Sequence, residues 1–232
     1  MTGRHVVTAT GPWMREGTAR LLAVVDKLGD EDLRGPSTLP GWSRAHVIGH
    51  LARNAEALVR LATWAQTGIE TPMYADREQR AAEIERSAAL PADTLRAQLA
   101  DTATALDTAL TRLTAARWEA EVRSALGRAI PAAELPWMRI REVWLHAVDL
   151  NTGARMDDLP DEVVDLLLDD VTTALSARDD CPDLQLTPTD RDRTWPLGGP
   201  ATEKVSGTAA DLAGWLTGRI TAPHRPPLPR WL

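Results

Sequence analysis

Glu142 and His146 lie four residues apart in WMRIREVWLHAVDL, a stretch whose apolar residues recur with the spacing of a core helix. Residues at i and i+4 project from one face of a helix, so a carboxylate oxygen and an imidazole nitrogen can reach the same ion. The spacing also arises often by chance, and a histidine bonded to a backbone carbonyl explains it equally well. The pair is therefore a candidate half of a metal site.

A second helical stretch, SRAHVIGHLARNA, supplies another spaced pair, His46 and His50. One of these histidines can face the interior of a bundle toward Glu142 and His146, and the spacing does not decide which. Two histidines and one glutamate leave an open position on a tetrahedral zinc ion, which is typical of catalytic rather than structural zinc. The sequence thus predicts a catalytic metal site built from two helices.

Several other side chains are candidates to meet a substrate. Arg139 and Arg141 flank Glu142 and are suited to bind carboxylates, although an arginine on a helix is usually solvated or salt-bridged. Arg219 follows a glycine after the last predicted helix and has no evident structural duty. Tyr74, the only tyrosine, lies in the loop sequence ETPMY, where it either lines a cleft or packs.

The elements that must position these residues are mostly helical. Apolar spacing, N-cap residues and helix-stopping glycines predict the helices Pro12–Leu28, Ser43–Gly68, Arg77–Ser87, Pro91–Thr114 and the stretch after Pro136 to about Gly153. The segment from Trp118 to Arg128 is ambiguous. Together they predict an up-and-down helical bundle.

The predicted secondary structure changes after Gly153, from helices alone to a mixture of helices and short strands. A helix is predicted from Pro160 to about Ala177, and another from Thr208 to about Gly218. Between them lie three short strand-like pieces, Leu184–Thr187, Thr194–Leu197 and Lys204–Gly207. We therefore expect a mainly α protein with a bundle in residues 1–155 and a small α/β domain in residues 156–232.

Composition and charge exclude several classes of function. The chain has 232 residues and a formal net charge of −7, which argues against nucleic acid or an acidic membrane surface as partner. No signal-peptide pattern or membrane-spanning run is evident, which predicts a cytoplasmic protein. The single cysteine, Cys181, cannot form an internal disulfide, so any thiol chemistry is expected to use a small-molecule thiol.

Four stretches resemble the mycothiol-dependent maleylpyruvate isomerases, a branch of the DinB-like metalloprotein superfamily: LPGWSRAHVIGHLARNA, ETPMY, WMRIREVWLHAVDL and the ending PLPRWL. The resemblance covers nearly the whole chain. It implies a DinB-like four-helix bundle in which His50, Glu142 and His146 hold zinc and His46 does not. It also implies a small C-terminal domain resembling sterol carrier proteins, with Arg219 implicated in catalysis.

The activity that the resemblance implies is the zinc- and mycothiol-dependent isomerisation of maleylpyruvate to fumarylpyruvate in gentisate degradation. Addition of a thiolate turns the cis double bond into a single bond, and rotation and thiol elimination then give the trans product. Zinc either activates the thiol or polarises a substrate oxygen, and the sequence leaves both roles open. Arg219 would bind a substrate carboxylate or stabilise the enolate.

Two other functions remain compatible with the same residues. One is a mycothiol S-transferase of the same superfamily, which would join the thiol to an electrophile without eliminating it. The other is a zinc-containing bundle that only binds a ligand or a protein. The sequence does not determine the residues that contact mycothiol, the identity of the metal or the oligomeric state.

Overall fold

The computed structural model describes residues 3–201 and 203–231, and its contacts divide the chain into two compact units. The first unit extends to Thr152, and the second begins at Gly153. The outer ends of the predicted domains and Leu232 of the PLPRWL ending lie outside the described residues. The mainly α fold class, with helices first and a small α/β region after them, is confirmed.

The first unit is a helical bundle with one small β-hairpin. Its main elements are α1 (Val7–Lys27), α2 (Arg44–Thr67), α3 (Arg77–Ala88), α4 (Ala92–Thr111), the short α5 (Ala115–Trp118), β1 (Glu121–Arg123), β2 (Ala129–Pro131) and α6 (Leu135–Asp149). Helix α2 packs against α3, α4 and α6, and α1 packs against α4 and α6. No described helix is long and apolar enough to cross a membrane.

The structure differs from the predicted elements at two places in this unit. Helix α1 begins at Val7 rather than at Pro12, because the buried Thr10 and Gly11 extend its packed face past the proline. The ambiguous stretch after Trp118 contributes β1 and the turn of an antiparallel hairpin. Tertiary packing decides both cases, and it outweighs the local preference of proline.

The second unit consists of a three-stranded sheet and two helices. Its elements are α7 (Asp161–Ser176), β3 (Leu184–Pro188), β4 (Trp195–Leu197), β5 (Glu203–Gly207) and α8 (Ala209–Leu216). Strand β3 is central, antiparallel to β4 and parallel to β5. Helix α7 packs on α8 and β4. The three predicted strands and both helices are confirmed, with ends shifted by no more than two residues.

Helices α2 and α6, which carry the candidate ligands, are tied together at one end. The Arg44 side chain of α2 donates from Nε to the Leu150 carbonyl at 2.7 Å and from Nη2 to the Asn151 carbonyl at 3.1 Å. Carbonyls at a helix C-terminus have no partner within the helix, and a cation there also complements the helix dipole. Arg44 therefore fixes the end of α6 against the start of α2.

A close contact between α1 and α6 depends on the absence of a side chain at Gly17. A Cβ atom added there would lie 2.5 Å from Trp144 Nε1 and 2.8 Å from Val143 Cγ2. We expect Gly17→Ala to destabilise the protein by about 1–3 kcal/mol, because overpacking forces the helices apart. The lowered melting temperature is measurable by circular dichroism.

Gly11 on the same helix offers a matched control for that measurement. A Cβ atom added at Gly11 would meet only the end of the Arg15 side chain, at 3.5 Å. Because alanine favours a helix by roughly 0.5–1 kcal/mol over glycine, Gly11→Ala should be neutral or stabilising. Equal melting temperatures for the two variants would contradict the proposed close packing at Gly17.

Candidate metal centre

His50 of α2 and the pair Glu142 and His146 of α6 converge on one point inside the first unit. Glu142 Oε2 lies 2.8 Å from His50 Nε2 and 3.1 Å from His146 Nε2. One ligand atom from each residue lies within 4.8 Å of the others, the only such group among the described residues. The structure thus brings together the three residues that the family resemblance assigned to the metal.

His46, the other histidine of the spaced pair, has a different task. Its Nδ1 accepts a hydrogen bond from the Ser43 backbone N–H at 3.2 Å, and the Ser43 hydroxyl in turn caps α2. Its Nε2 lies 3.2 Å from a carboxylate oxygen of Glu85. Because both ring nitrogens are engaged at the start of α2, His46 takes no part in the cluster of His50, Glu142 and His146.

His146 is oriented by a buried carboxylate that the sequence prediction missed. Its Nδ1 lies 2.8 Å from Oδ2 of the fully buried Asp149, and the Thr38 hydroxyl donates to Asp149 Oδ1 at 3.1 Å. A carboxylate acceptor at Nδ1 holds a proton there, so Nε2 is the nitrogen of the neutral ring that can bind a metal. The signal was present in the HAVD sequence, since residues three apart on a helix are neighbours.

Substituting Asp149 should weaken metal binding without removing a ligand. We expect Asp149→Asn to lower the affinity for zinc by roughly 10–100-fold, the usual effect of losing a partner that orients a ligand. Thr38→Val removes only the hydroxyl that supports this carboxylate and should have a smaller effect. Competition with a chelating dye measures both affinities, and an unchanged affinity in Asp149→Asn would refute the orienting role.

The charges in the cluster suit a cation. Burial of Glu142 acts to raise its pKa, but the neighbouring His50 and His146 outweigh burial and hold that pKa well below its usual value. Burial lowers the pKa of His50, which favours its neutral form. Burial also acts to lower the pKa of His146, yet its bonds to Asp149 and Glu142 raise it overall. Glu142 is therefore ionised and His50 neutral at neutral pH, which are their ligand forms.

Arg139 is structural, contrary to the expectation of a solvated or salt-bridged side chain. Only 1% of it is exposed, and Nη1 donates to the Leu51 carbonyl at 2.8 Å and to Asn54 Oδ1 at 2.9 Å. Burial lowers its pKa to about 10, so it stays charged at neutral pH. Its contacts join α6 to α2 one turn before Glu142. Arg141 is half-buried.

The ETPMY loop lies next to the cluster. Arg60 Nε donates to the Met73 carbonyl at 2.9 Å, which holds the loop against α2. The Arg80 guanidinium lies 5.7 Å from the centre of the Tyr74 ring and places Nη2 3.2 Å from His50 Nδ1. Burial raises the pKa of Tyr74 despite the nearby arginine, so its hydroxyl stays protonated at neutral pH. Tyr74 and Arg80 thus border the candidate metal site.

Arg219 and Cys181 belong to the second unit. Arg219 is half-buried just after α8, and its Nη1 donates to the Thr217 carbonyl at 2.9 Å. Burial raises the pKa of the Cys181 thiol, and the charges of Asp183 and Asp180 raise it further. A thiol that stays protonated is a poor nucleophile. Cys181 is therefore not an activated thiol.

The donor set fits a divalent metal ion. Two imidazole nitrogens and one carboxylate oxygen are borderline ligands of the kind that zinc accepts, and three protein ligands leave a position for a water, a thiol or a substrate. The short contacts between Glu142 and both histidines show that the three side chains already point at a common centre. What such a centre can do is bind a thiolate or polarise a carbonyl oxygen.

Comparisons with known proteins find similarity to a single family. The model of the mycothiol maleylpyruvate isomerase N-terminal domain matches residues 14–151. Two solved structures are similar over 100% of both chains at 33% identity: the mycothiol-dependent maleylpyruvate isomerase, with a TM-score of 0.91, and a histidine-to-alanine mutant, with a TM-score of 0.92. No curated protein matches the chain.

Proposed function

The chain belongs to the mycothiol maleylpyruvate isomerase family, and from that premise we propose that it is a zinc- and mycothiol-dependent enzyme that converts maleylpyruvate to fumarylpyruvate. The observation that carries the proposal is the convergence of His50, Glu142 and His146 on one centre. Similarity at 33% identity over the full length of a solved isomerase supports it. Maleylpyruvate is an intermediate of gentisate degradation, where we place the reaction.

The proposed chemistry needs no net oxidation or reduction. The thiolate sulfur forms a bond to one carbon of the cis double bond. The π electron pair of the double bond moves through the conjugated system onto the carbonyl oxygen. The former double bond is then free to rotate. Return of the electron pair expels the thiolate and leaves the trans isomer, so the thiol is recovered unchanged.

His50, Glu142 and His146 would hold the metal, and different contacts favour ligation by Glu142 and by His146. Glu142 contributes a negative charge that its two histidine neighbours stabilise. His146 presents Nε2 because Asp149 holds Nδ1. When bound, the metal supplies either an activated thiolate or a polarised substrate oxygen.

We propose that Arg219 serves the reaction through its positive charge. A guanidinium binds a carboxylate with paired, charge-assisted hydrogen bonds, and it also stabilises negative charge that develops on a carbonyl oxygen. The proposal rests on the family resemblance of the Gly-Arg step.

The amount of free thiol before and after the reaction distinguishes an isomerase from the alternative, a transferase. Zinc-loaded protein is mixed with maleylpyruvate and mycothiol, and free thiol is titrated before and after the reaction. We expect fumarylpyruvate to form with no loss of thiol. Consumption of one thiol per product would assign the chain to the transferases, and metal binding without turnover would indicate a protein that only binds a ligand.

A further inference from the structure

The two histidines of the cluster have opposite kinds of partner on the ring nitrogen that faces away from Glu142. His146 Nδ1 meets the Asp149 carboxylate, which can only accept a hydrogen bond. His50 Nδ1 meets Arg80 Nη2 at 3.2 Å, and a guanidinium can only donate. His50 Nδ1 must therefore accept, so its proton is on Nε2 and is donated to Glu142 Oε2 at 2.8 Å.

This arrangement of His50 is incompatible with ligation through Nε2. A neutral imidazole binds a metal with the nitrogen that carries no proton, so ligation through Nε2 places the proton on Nδ1. Nδ1–H and the Arg80 N–H would then be two donors facing each other. The contact of Arg80 with His50 must break when His50 becomes a ligand through Nε2, which leaves the guanidinium available to another acceptor.

The positive charge of Arg80 is compensated by no salt bridge among the described residues. Within residues 3–201 and 203–231, neither Arg80 nor Arg60 forms a salt bridge, although both act electrostatically on Tyr74. Arg80 is half-buried, so its guanidinium is open to a ligand while partly shielded from water. A guanidinium outside any salt bridge, half-buried beside the cluster, is suited to bind an anion.

We propose that Arg80 binds a carboxylate of the substrate, with the Tyr74 hydroxyl beside it as a second donor. The inference rests on the proposed function, whose substrate is a dicarboxylate. With His50 acting as a metal ligand, the Arg80 guanidinium would give up its contact with Nδ1 and bind the substrate carboxylate instead. Its planar fork of N–H groups matches a carboxylate in two parallel hydrogen bonds.

The test compares Arg80→Ala with Arg80→Lys and with Arg77→Ala, the control, which removes an exposed arginine from the same helix. Three quantities are measured: zinc affinity by dye competition, KM and kcat for maleylpyruvate, and the affinity of zinc-loaded protein for maleate without mycothiol. We expect Arg80→Ala to raise KM and weaken maleate binding about tenfold or more, as loss of a charge-assisted bond does. Arg80→Lys should recover part of both.

Zinc affinity separates this role from a merely structural one. Arg80→Ala should leave zinc affinity unchanged or raise it, since a cation beside the site is removed. A fall in zinc affinity together with the rise in KM would show that Arg80 only supports His50, and would overturn the inference. Unchanged KM and maleate affinity would also overturn it.

Failure of the proposed function gives a different result. Wild-type protein that binds zinc but neither binds maleate nor turns over maleylpyruvate would remove both the function and this role of Arg80. Wild-type turnover with an unaltered Arg80→Ala variant would remove the role of Arg80 alone.

Discussion

Glu142→Ala is expected to lose bound zinc and isomerase activity together. The carboxylate is the only acidic group of the cluster, and its Oε2 lies 2.8 Å from His50 Nε2 and 3.1 Å from His146 Nε2. Its removal should lower zinc affinity by more than about 100-fold, beyond the effect of losing a partner that only orients a ligand. Metal content after dialysis and the rate of fumarylpyruvate formation measure the two losses.

The His46 and His50 pair supplies the matched control. His50→Ala should behave as Glu142→Ala does, whereas His46→Ala should keep both zinc and activity, because His46 only caps α2. The cap is worth about 1 kcal/mol, so the melting temperature of His46→Ala should fall slightly. An active, zinc-free Glu142→Ala or His50→Ala variant would contradict the metal hypothesis.

Arg219→Ala is expected to keep zinc and to lose turnover. Arg219 is not part of the ligand cluster and donates a hydrogen bond to the Thr217 carbonyl in the second unit. Loss of a group that stabilises developing negative charge typically lowers kcat by about 100- to 1,000-fold. Arg219→Lys should recover part of the rate, because it keeps the charge without the planar fork.

Controls for Arg219→Ala distinguish catalysis from folding. Arg178→Ala removes an exposed arginine of the same unit and should leave kcat, zinc content and melting temperature unchanged. Loss of zinc in Arg219→Ala, or a fall in melting temperature that matches the loss of activity, would mean that Arg219 has a structural role.

Local patterns predicted most elements and the positions of the candidate ligands. Glu142 and His146 are neighbours on α6 because helical spacing alone places them so. The start of α1 could not be predicted, because burial of Thr10 and Gly11 is a tertiary effect. The hairpin was equally hidden, since its buried pair Val122 and Ile130 carries too few residues to show a period.

The sequence alone was less informative about which residues support the site. The spacing of His46 and His50 left the choice between them open, and the family resemblance favoured His50, where the structure shows the convergence. Asp149 was detectable in HAVD, one turn from His146. Arg80 was not, because its contact with His50 joins α3 to α2 across 30 residues and depends on how the two helices pack.

The most direct test of the proposed function is the ultraviolet spectrum of maleylpyruvate with zinc-loaded protein, recorded with and without mycothiol. We expect conversion to fumarylpyruvate only when mycothiol is present, and its loss when a chelator removes the metal. Conversion without mycothiol or after metal removal would contradict the proposed chemistry. No conversion with zinc and mycothiol both present would contradict the proposed function itself.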